Sequence, residues 1–409
     1  MLGRVLNTHQ QWLCRQLADR GRVVTRQVAI ADQSDAIVGA LREALGRSDL
    51  VIATGGLGPT SDDLTRDLVA AMLGRTLRED PAIVEEIRGF FTGRGRVMPE
   101  RARRQAQVPD GALVLKNAHG TAPGLAIEAN PNPFRAAGGA SWLIMLPGPP
   151  RELRPMFLDQ VVPLLDRVLP VGEPFVCRTY RTTGLPESTV EEMVDAPLRE
   201  CVAAGLELGY CARPGQVDVR LAAHGADAAT LVEAAARVVC ERLGAAIYGL
   251  DDEDLETVLV RELAARGATL AVAESCTGGW LAHRITMVPG ASAVFKGGFV
   301  TYSNEAKVKW LGVALETLEA HGAVSEPVAR EMAAGVRAAA GADYGISLTG
   351  IAGPGGGSPD KPVGTVFIGV AGPGGITVTR HCHPFDRETF KNVAAQQALD
   401  RLRRILPPR

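Results

Sequence analysis

Leu270-Ala271-Val272-Ala273-Glu274-Ser275-Cys276-Thr277-Gly278-Gly279-Trp280 is the stretch that decides how this chain is read. The first four residues form an apolar run short enough for a buried strand, and Thr277-Gly278-Gly279 opens a helix. A strand that bends sharply into a helix exposes the residues at the bend, here the hydroxyl of Ser275 and the thiol of Cys276. The unpaired N–H groups of the first helical turn offer an anion a seat beside them. Thr277, Gly278 and Gly279 are therefore candidate substrate-binding residues.

Two further segments have the same character. Tyr302-Ser303-Asn304-Glu305-Ala306-Lys307 follows the strand-like run Gly298 to Thr301, and a glycine-rich stretch through Gly357 follows Tyr344 to Leu348. All three signals fall at carboxyl ends of strands, the edge at which open α/β sheets bind ligands, so the spacing predicts one shared pocket.

The length of 409 residues exceeds one ordinary core and suggests two or three domains at ~150 residues each. Lys and Arg number 44 against 46 Asp and Glu, a net charge of −2, so no global field draws the chain to nucleic acid or an anionic membrane. The seven cysteines are scattered and never spaced Cys-x-x-Cys, a pattern of reducing compartments. No run approaches the ~18 apolar residues of a membrane span, and the first residues lack a signal-peptide core. The expectation is a cytoplasmic enzyme with a small-molecule substrate, no nucleic-acid or membrane partner, and a homodimeric state.

Three α/β or α+β blocks are expected. The first, 1–168, alternates helices (Thr8 to Arg20, Ser34 to Leu45) with strands (Val23 to Ala29, Asp49 to Ala53, Trp142 to Leu146). The second, 172–249, is a small module with strands at Val176 to Thr183, Glu207 to Cys211 and Val217 to Ala223, and helices at Pro186 to Ala204 and Ala228 to Leu243. The third, 251–409, begins at the acidic run Asp251-Asp252-Glu253-Asp254, a linker or the first turn of a helix over Leu255 to Arg266, and ends in a helix from Arg387 to about Leu406.

A serine attacks an amide at neutral pH only if a base takes its proton. Lys307, 32 residues beyond Ser275, could be that base if burial lowers its pKa. Cys276 is the rival nucleophile, because a helix N-terminus favours a thiolate. A small buried cysteine beside a working serine tilts the choice to Ser275 without closing it. Thr349 could donate to substrate or orient Lys307, and Gly350 to Gly357 could supply backbone N–H groups to an oxyanion or a phosphate.

Ala-Glu-Ser-Cys-Thr-Gly-Gly (273–279), Phe-Val-Thr-Tyr-Ser-Asn-Glu-Ala-Lys (299–307), His-Gly-Ala-Val-Ser-Glu (321–326) and Gly-Ile-Ala-Gly-Pro (350–354) closely resemble the C-terminal domain of the CinA family. That resemblance implies an amidohydrolase that turns nicotinamide mononucleotide into nicotinate mononucleotide and ammonia, without a cofactor. It implies Ser275 as nucleophile, Lys307 as base, Thr349 as a supporting hydroxyl and Tyr302 as a pocket residue, with Gly350 and Gly353 in the loop. The substrate phosphate is left to either Thr277-Gly278-Gly279 or Arg387. The family has a glycine within the stretch matched by Pro384-Phe385-Asp386-Arg387.

The first block resembles the family's molybdopterin-binding-like domain through Asn7-Thr8, Thr54-Gly55-Gly56-Leu57-Gly58-Pro59-Thr60, Asp62-Asp63-Leu64-Thr65, Gly120 to Gly124 and Pro147-Gly148-Pro149-Pro150. The resemblance implies a metal-dependent ADP-ribose pyrophosphatase, with Gly55, Gly56, Gly58 and Thr60 on a diphosphate and Asp62 and Asp63 on a divalent cation. Helix capping is the alternative role for the two aspartates. The family also places a buried strand and Gly-x-Glu-Leu-Leu before the segment matched by Leu2 to Asn7, and this chain starts at Met1. The expectation is an unpaired sheet edge and little pyrophosphatase activity, from a misplaced start or a shortened chain. A further alternative is a non-enzymatic competence-related or molybdopterin-binding protein. The middle block is similar to a KH-type module. It lacks the Gly-x-x-Gly loop of RNA-binding KH domains, which favours a spacer or dimerisation role.

Overall fold

The computed structural model describes residues 7–136 and 138–407. The chain divides into two compact units, Met1–Gly172 and Glu173–Arg409, so the second and third blocks fold together. Among the described residues no helix is long and apolar enough to cross a membrane.

The first unit contains α1 (Thr8–Ala18), α2 (Ser34–Arg47), β1 (Leu50–Thr54), α3 (Thr65–Met72), β2 (Leu77–Glu79), α4 (Pro81–Thr92), β3 (Gln107–Pro109), β4 (Leu113–Leu115), β5 (Gly124–Ala129), β6 (Ser141–Leu146), α5 (Pro150–Met156) and α6 (Val162–Val168). Its main sheet runs β1-β6-β5-β4, with β1 parallel to β6 and the other pairs antiparallel. Successive residues of β5 and β6 serve opposite cores, as a two-residue period requires. Leu125, Ile127, Leu143 and Met145 pack with Ile37, Leu41 and Leu45. Ala126, Ile144 and Leu146 pack with Leu13, Leu17 and Phe157.

Val23 to Ala29, expected as a strand, forms none, and Val23, Val24 and Val28 are exposed. β-branched residues favour a strand only where a neighbour supplies the ladder. Here β1 is an edge, its only partner among the described residues being β6. Leu2 to Leu6, on which the expectation of an absent first strand falls, lie outside the described residues.

In the second unit the small module comprises β7 (Phe175–Thr183), α7 (Glu187–Ala203), β8 (Glu207–Arg213), β9 (Gln216–His224), α8 (Ala228–Leu243) and β10 (Ile247–Leu250). The antiparallel order is β10-β7-β9-β8. Val217, Val219 and Leu221 of β9 alternate inward against Val190, Val194 and Leu198 of α7 and Val232 and Val239 of α8. The acidic run is a fastened turn: Asp251 accepts the Thr179 N–H and Glu253 the Leu250 N–H.

The C-terminal part holds α9 (Leu255–Arg266), β11 (Leu270–Glu274), α10 (Trp280–Thr286), β12 (Phe295–Val300), α11 (Asn304–Leu311), α12 (Leu315–His321), α13 (Glu326–Ala340), β13 (Tyr344–Gly350), β14 (Thr365–Gly372), β15 (Gly375–Cys382) and α14 (Arg387–Ile405). The order is β12-β11-β13-β14-β15. β11 lies parallel to both β12 and β13, so their carboxyl ends share an edge, and an antiparallel hairpin, β14 and β15, extends the sheet. Central β11 is buried throughout, which explains its unbroken apolar run.

Helices α9, α10 and α14 cover one face through Leu259, Leu281, Phe390 and Leu399. Helices α11 to α13 cover the other through Leu311, Leu318 and Met332. A Cβ on Gly335 would stand 1.9 Å from the Leu311 carbonyl oxygen, so only glycine lets α13 lie this close to the end of α11. At its far end α14 is tied to the small module, with Arg403 donating to the carbonyls of Ile247 and Ala245 and to Asp400.

Candidate active site

β11 ends at Glu274, and the chain turns through Ser275 into α10. Gly278 (φ 63°) and Gly279 (φ 95°) occupy the left-handed region that lets the backbone reverse before the helix starts at Trp280. The Ser275 N–H donates to the Leu348 carbonyl (2.9 Å), which fixes the bend against β13. The Glu274 carboxylate, 1% exposed, folds back onto the helix. It accepts the N–H groups of Gly279 (3.1 Å), Leu281 (3.0 Å) and Ala282 (2.8 Å). Gly278 and Trp280 donate to the carbonyls of Ser275 and Thr277.

The helix start is thus filled from within. Of the expected anion seat, Thr277 is fully buried, and Gly278 and Gly279 build the turn. The amides of Cys276 and Thr277, which precede these groups, face the Cys276 sulfur.

Lys307 reaches the bend from α11, where Ser303 caps the helix by accepting the Ala306 N–H (3.1 Å). Its side chain is 1% exposed. Its Nζ lies 2.8 Å from the Thr301 carbonyl, 3.3 Å from the Tyr302 carbonyl and 3.2 Å from Ser275 Oγ. All three of these partners are uncharged oxygens. Burial pushes its pKa below the ordinary lysine value, against smaller opposing effects of Cys276 and Glu305. In its neutral form the amine would give its two protons to the two carbonyls and turn its lone pair to the Ser275 hydroxyl.

Cys276 takes the opposite direction at the bend, into the apolar core with Leu281 and Leu348. Burial pushes its thiol up to about 12, so it stays protonated and away from the crevice.

The Thr349 hydroxyl donates to the Ala323 carbonyl (2.7 Å) and makes no hydrogen bond to Lys307 or Ser275. A Cβ on Gly350 would meet the Thr365 carbonyl oxygen at 2.6 Å, so this glycine serves close strand packing. The Gly353 carbonyl accepts from Arg387 Nη1 (2.8 Å), and Arg387 Nη2 donates to the hydroxyl of Tyr302 (3.2 Å). Tyr302 is 63% exposed.

One turn further along α14, Lys391 Nζ lies 3.9 Å from where a Cβ on Gly278 would stand and 5.7 Å from the centre of the Trp280 ring. Trp280 Nε1 also donates to Asn392 Oδ1 (2.8 Å), which ties α10 to α14. Arg387 and Lys391 share one helix face. Sequence reasoning missed Lys391 and Glu274. The four-residue spacing from Arg387 could have revealed the first, and nothing local the second.

In the first unit, Gly55 and Gly56 adopt positive φ after β1. Asp63 Oδ2 accepts both the N–H (2.9 Å) and the hydroxyl (2.6 Å) of Thr60, and a Cβ on Gly58 would strike it at 2.3 Å. Asp63 therefore closes the glycine loop. Among the described residues no group of three or more His, Cys, Asp or Glu is placed to hold a metal ion. Asp63 Oδ2 is taken up by the loop, which leaves Asp63 Oδ1 and the exposed Asp62 carboxylate as the groups that would hold, together with substrate phosphates, the divalent cation that the resemblance implies. Two hollows, of about 440 Å³ beside Arg88, Arg96 and Arg103 and about 190 Å³ beside Arg284 and Asn392, are lined by none of the expected site residues.

The fold and site define a multidomain α/β protein with a buried serine–lysine pair at the carboxyl edge of its C-terminal sheet. Residues 252–406 match the family described as "CinA C-terminal domain", 177–249 "Damage-inducible protein CinA KH domain" and 1–167 "Probable molybdopterin binding domain". The chain belongs to the CinA family. It is 46% identical to a protein of Moorella thermoacetica described as competence-damage inducible, over 99% of this chain and 96% of that one. A CinA-like protein of Gemmatimonas aurantiaca is 42% identical over 99% and 93%. The crystal structure of a CinA superfamily protein from Klebsiella pneumoniae is 41% identical, covering 36% of this chain and 92% of that one, with a TM-score of 0.35.

Proposed function

We propose that the C-terminal domain hydrolyses the carboxamide of nicotinamide mononucleotide to nicotinate mononucleotide and ammonia, a step of pyridine nucleotide recycling. The observation that carries this reading is the 3.2 Å approach of Lys307 Nζ to Ser275 Oγ, where burial favours the neutral amine.

Lys307 takes the hydroxyl proton as Ser275 Oγ attacks the carboxamide carbon. The Ser275 amide is spent on Leu348, the Cys276 and Thr277 amides face the Cys276 sulfur and the Ile351 amide is spent on Thr365, so the oxyanion is met by amides of the glycine-rich loop beyond Ile351. The Lys307 ammonium then protonates the departing nitrogen, ammonia leaves, and an ester on Ser275 remains. Water, losing its proton to Lys307, hydrolyses that ester and restores both side chains. Every step uses groups of this chain and water, and no cofactor is invoked.

Arg387 and Lys391 are the groups that would hold the phosphate, since the start of α10 is closed by Glu274. The exposed ring of Tyr302 offers a face to the pyridinium.

The test supplies the purified chain with the nucleotide and measures ammonia and the acid product. Activity should vanish in Ser275→Ala and persist in Cys276→Ala. Persistence in Ser275→Ala would sink the proposal.

A further inference from the structure

We propose that Glu274 is the positioning residue that holds the Ser275 hydroxyl against Lys307. This rests on the amidase reading for its kinetic part only.

One residue joins four elements here. The backbone of Glu274 pairs with Val300 of β12 and Leu348 of β13. Its carbonyl accepts the Thr301 N–H (2.8 Å), and the Thr301 carbonyl in turn accepts Lys307 Nζ (2.8 Å). Its carboxylate gathers three N–H groups of the turn and of α10. A continuous path of hydrogen bonds thus runs from the start of α10 through Glu274 and Thr301 to Lys307, and Lys307 closes it on Ser275.

A buried carboxylate is costly unless donors surround it, and here three backbone N–H groups and the positive end of a helix compensate. Both oxygens accept here, Oε2 from Gly279 and Leu281 and Oε1 from Ala282, so neither position suits an amide NH₂, which only donates. A glutamine would turn its NH₂ toward one of these donors and push the bend aside. Misplacing a nucleophile by about 1 Å costs roughly a hundredfold in rate. A plain helix cap would instead lower stability and leave the chemistry alone.

The experiment compares the full chain with Glu274→Gln and Glu274→Asp. One arm measures the rate at which a fluorophosphonate labels Ser275, read by intact mass. The other measures kcat and KM for nicotinamide mononucleotide. Folding is checked by thermal melts.

In Glu274→Gln, labelling and kcat should fall together by about a hundredfold with KM within about twofold. Glu274→Asp, which keeps the charge with a shorter reach, should recover about tenfold of that loss. Labelling of either variant at the wild-type rate overturns the proposal, and Glu274→Asp decides it if Glu274→Gln does not fold. A wild-type chain that labels but leaves the nucleotide intact removes the proposed substrate, while the labelling arm still judges Glu274. A wild-type chain that resists the label overturns both.

Discussion

Lys307 Nζ and Ser275 Oγ lie 3.2 Å apart although 32 positions separate them along the chain. Two parallel strands, β11 and β12, deliver them to one sheet edge from different turns. Removing either member should therefore be equally severe. Ser275→Ala and Lys307→Met are each expected to lower kcat by about a thousandfold or more, and the double variant by little beyond that. Steady-state kinetics on the three proteins checks this, and additive losses would argue against a working pair.

The lysine must be neutral to accept a proton, so kcat/KM should rise with pH and level off at a midpoint below the ordinary lysine range. Stability follows the same sign. The folded pKa is depressed, so the unfolded chain binds more protons between the folded and unfolded values, and stability climbs with pH across that window. Lys307→Met should flatten this rise in urea melts repeated from neutral to alkaline pH.

Cys276 carries a thiol pushed up to about 12 and packed in the core. Cys276→Ala should keep activity within about threefold and cost about 1 kcal/mol of stability. Iodoacetamide at neutral pH should leave the native enzyme active, and rapid inactivation that Cys276→Ala prevents would contradict the geometry.

Gly335 tests the support beneath Lys307. An alanine there gains about 1 kcal/mol in helix propensity, yet its methyl group meets a backbone carbonyl at 1.9 Å and forces α11 to move. The expected outcome is a lower melting temperature and a fall in kcat larger than any change in KM. An unchanged kcat would show that α11 tolerates the shift.

Arg387 and Lys391 predict how the substrate is selected. Lys391→Met and Arg387→Met should each raise KM for the nucleotide by about tenfold, with little effect on the dephosphorylated nucleoside amide. Equal losses on both substrates would place the phosphate elsewhere.

Much of this site was legible in the sequence, because Ser275, Tyr302 and Lys307 each sit just beyond an apolar run and parallel strands carry such positions to one edge. The role of Cys276 was not legible, since spacing cannot tell which of two neighbours a bend turns inward. Nor was Glu274, which reads as the polar end of a strand until its carboxylate is seen among three N–H groups. In the first unit β-branched residues at Val23 to Ala29 suggested a strand, but propensity cannot supply the neighbour a ladder needs. Asp63 shows the same limit, because spelling does not reveal that one of its oxygens is folded onto Thr60.

Helix α14 presents Arg387 in its first turn and Arg403 in its last, where Arg403 is sewn to the small module. Nineteen residues make a strut of roughly 28 Å. Severing its anchorage, by Arg403→Ala for instance, should slacken the grip on the nucleotide's charged end while leaving the bond-breaking machinery in place. The small module would then act as the footing from which substrate affinity is braced.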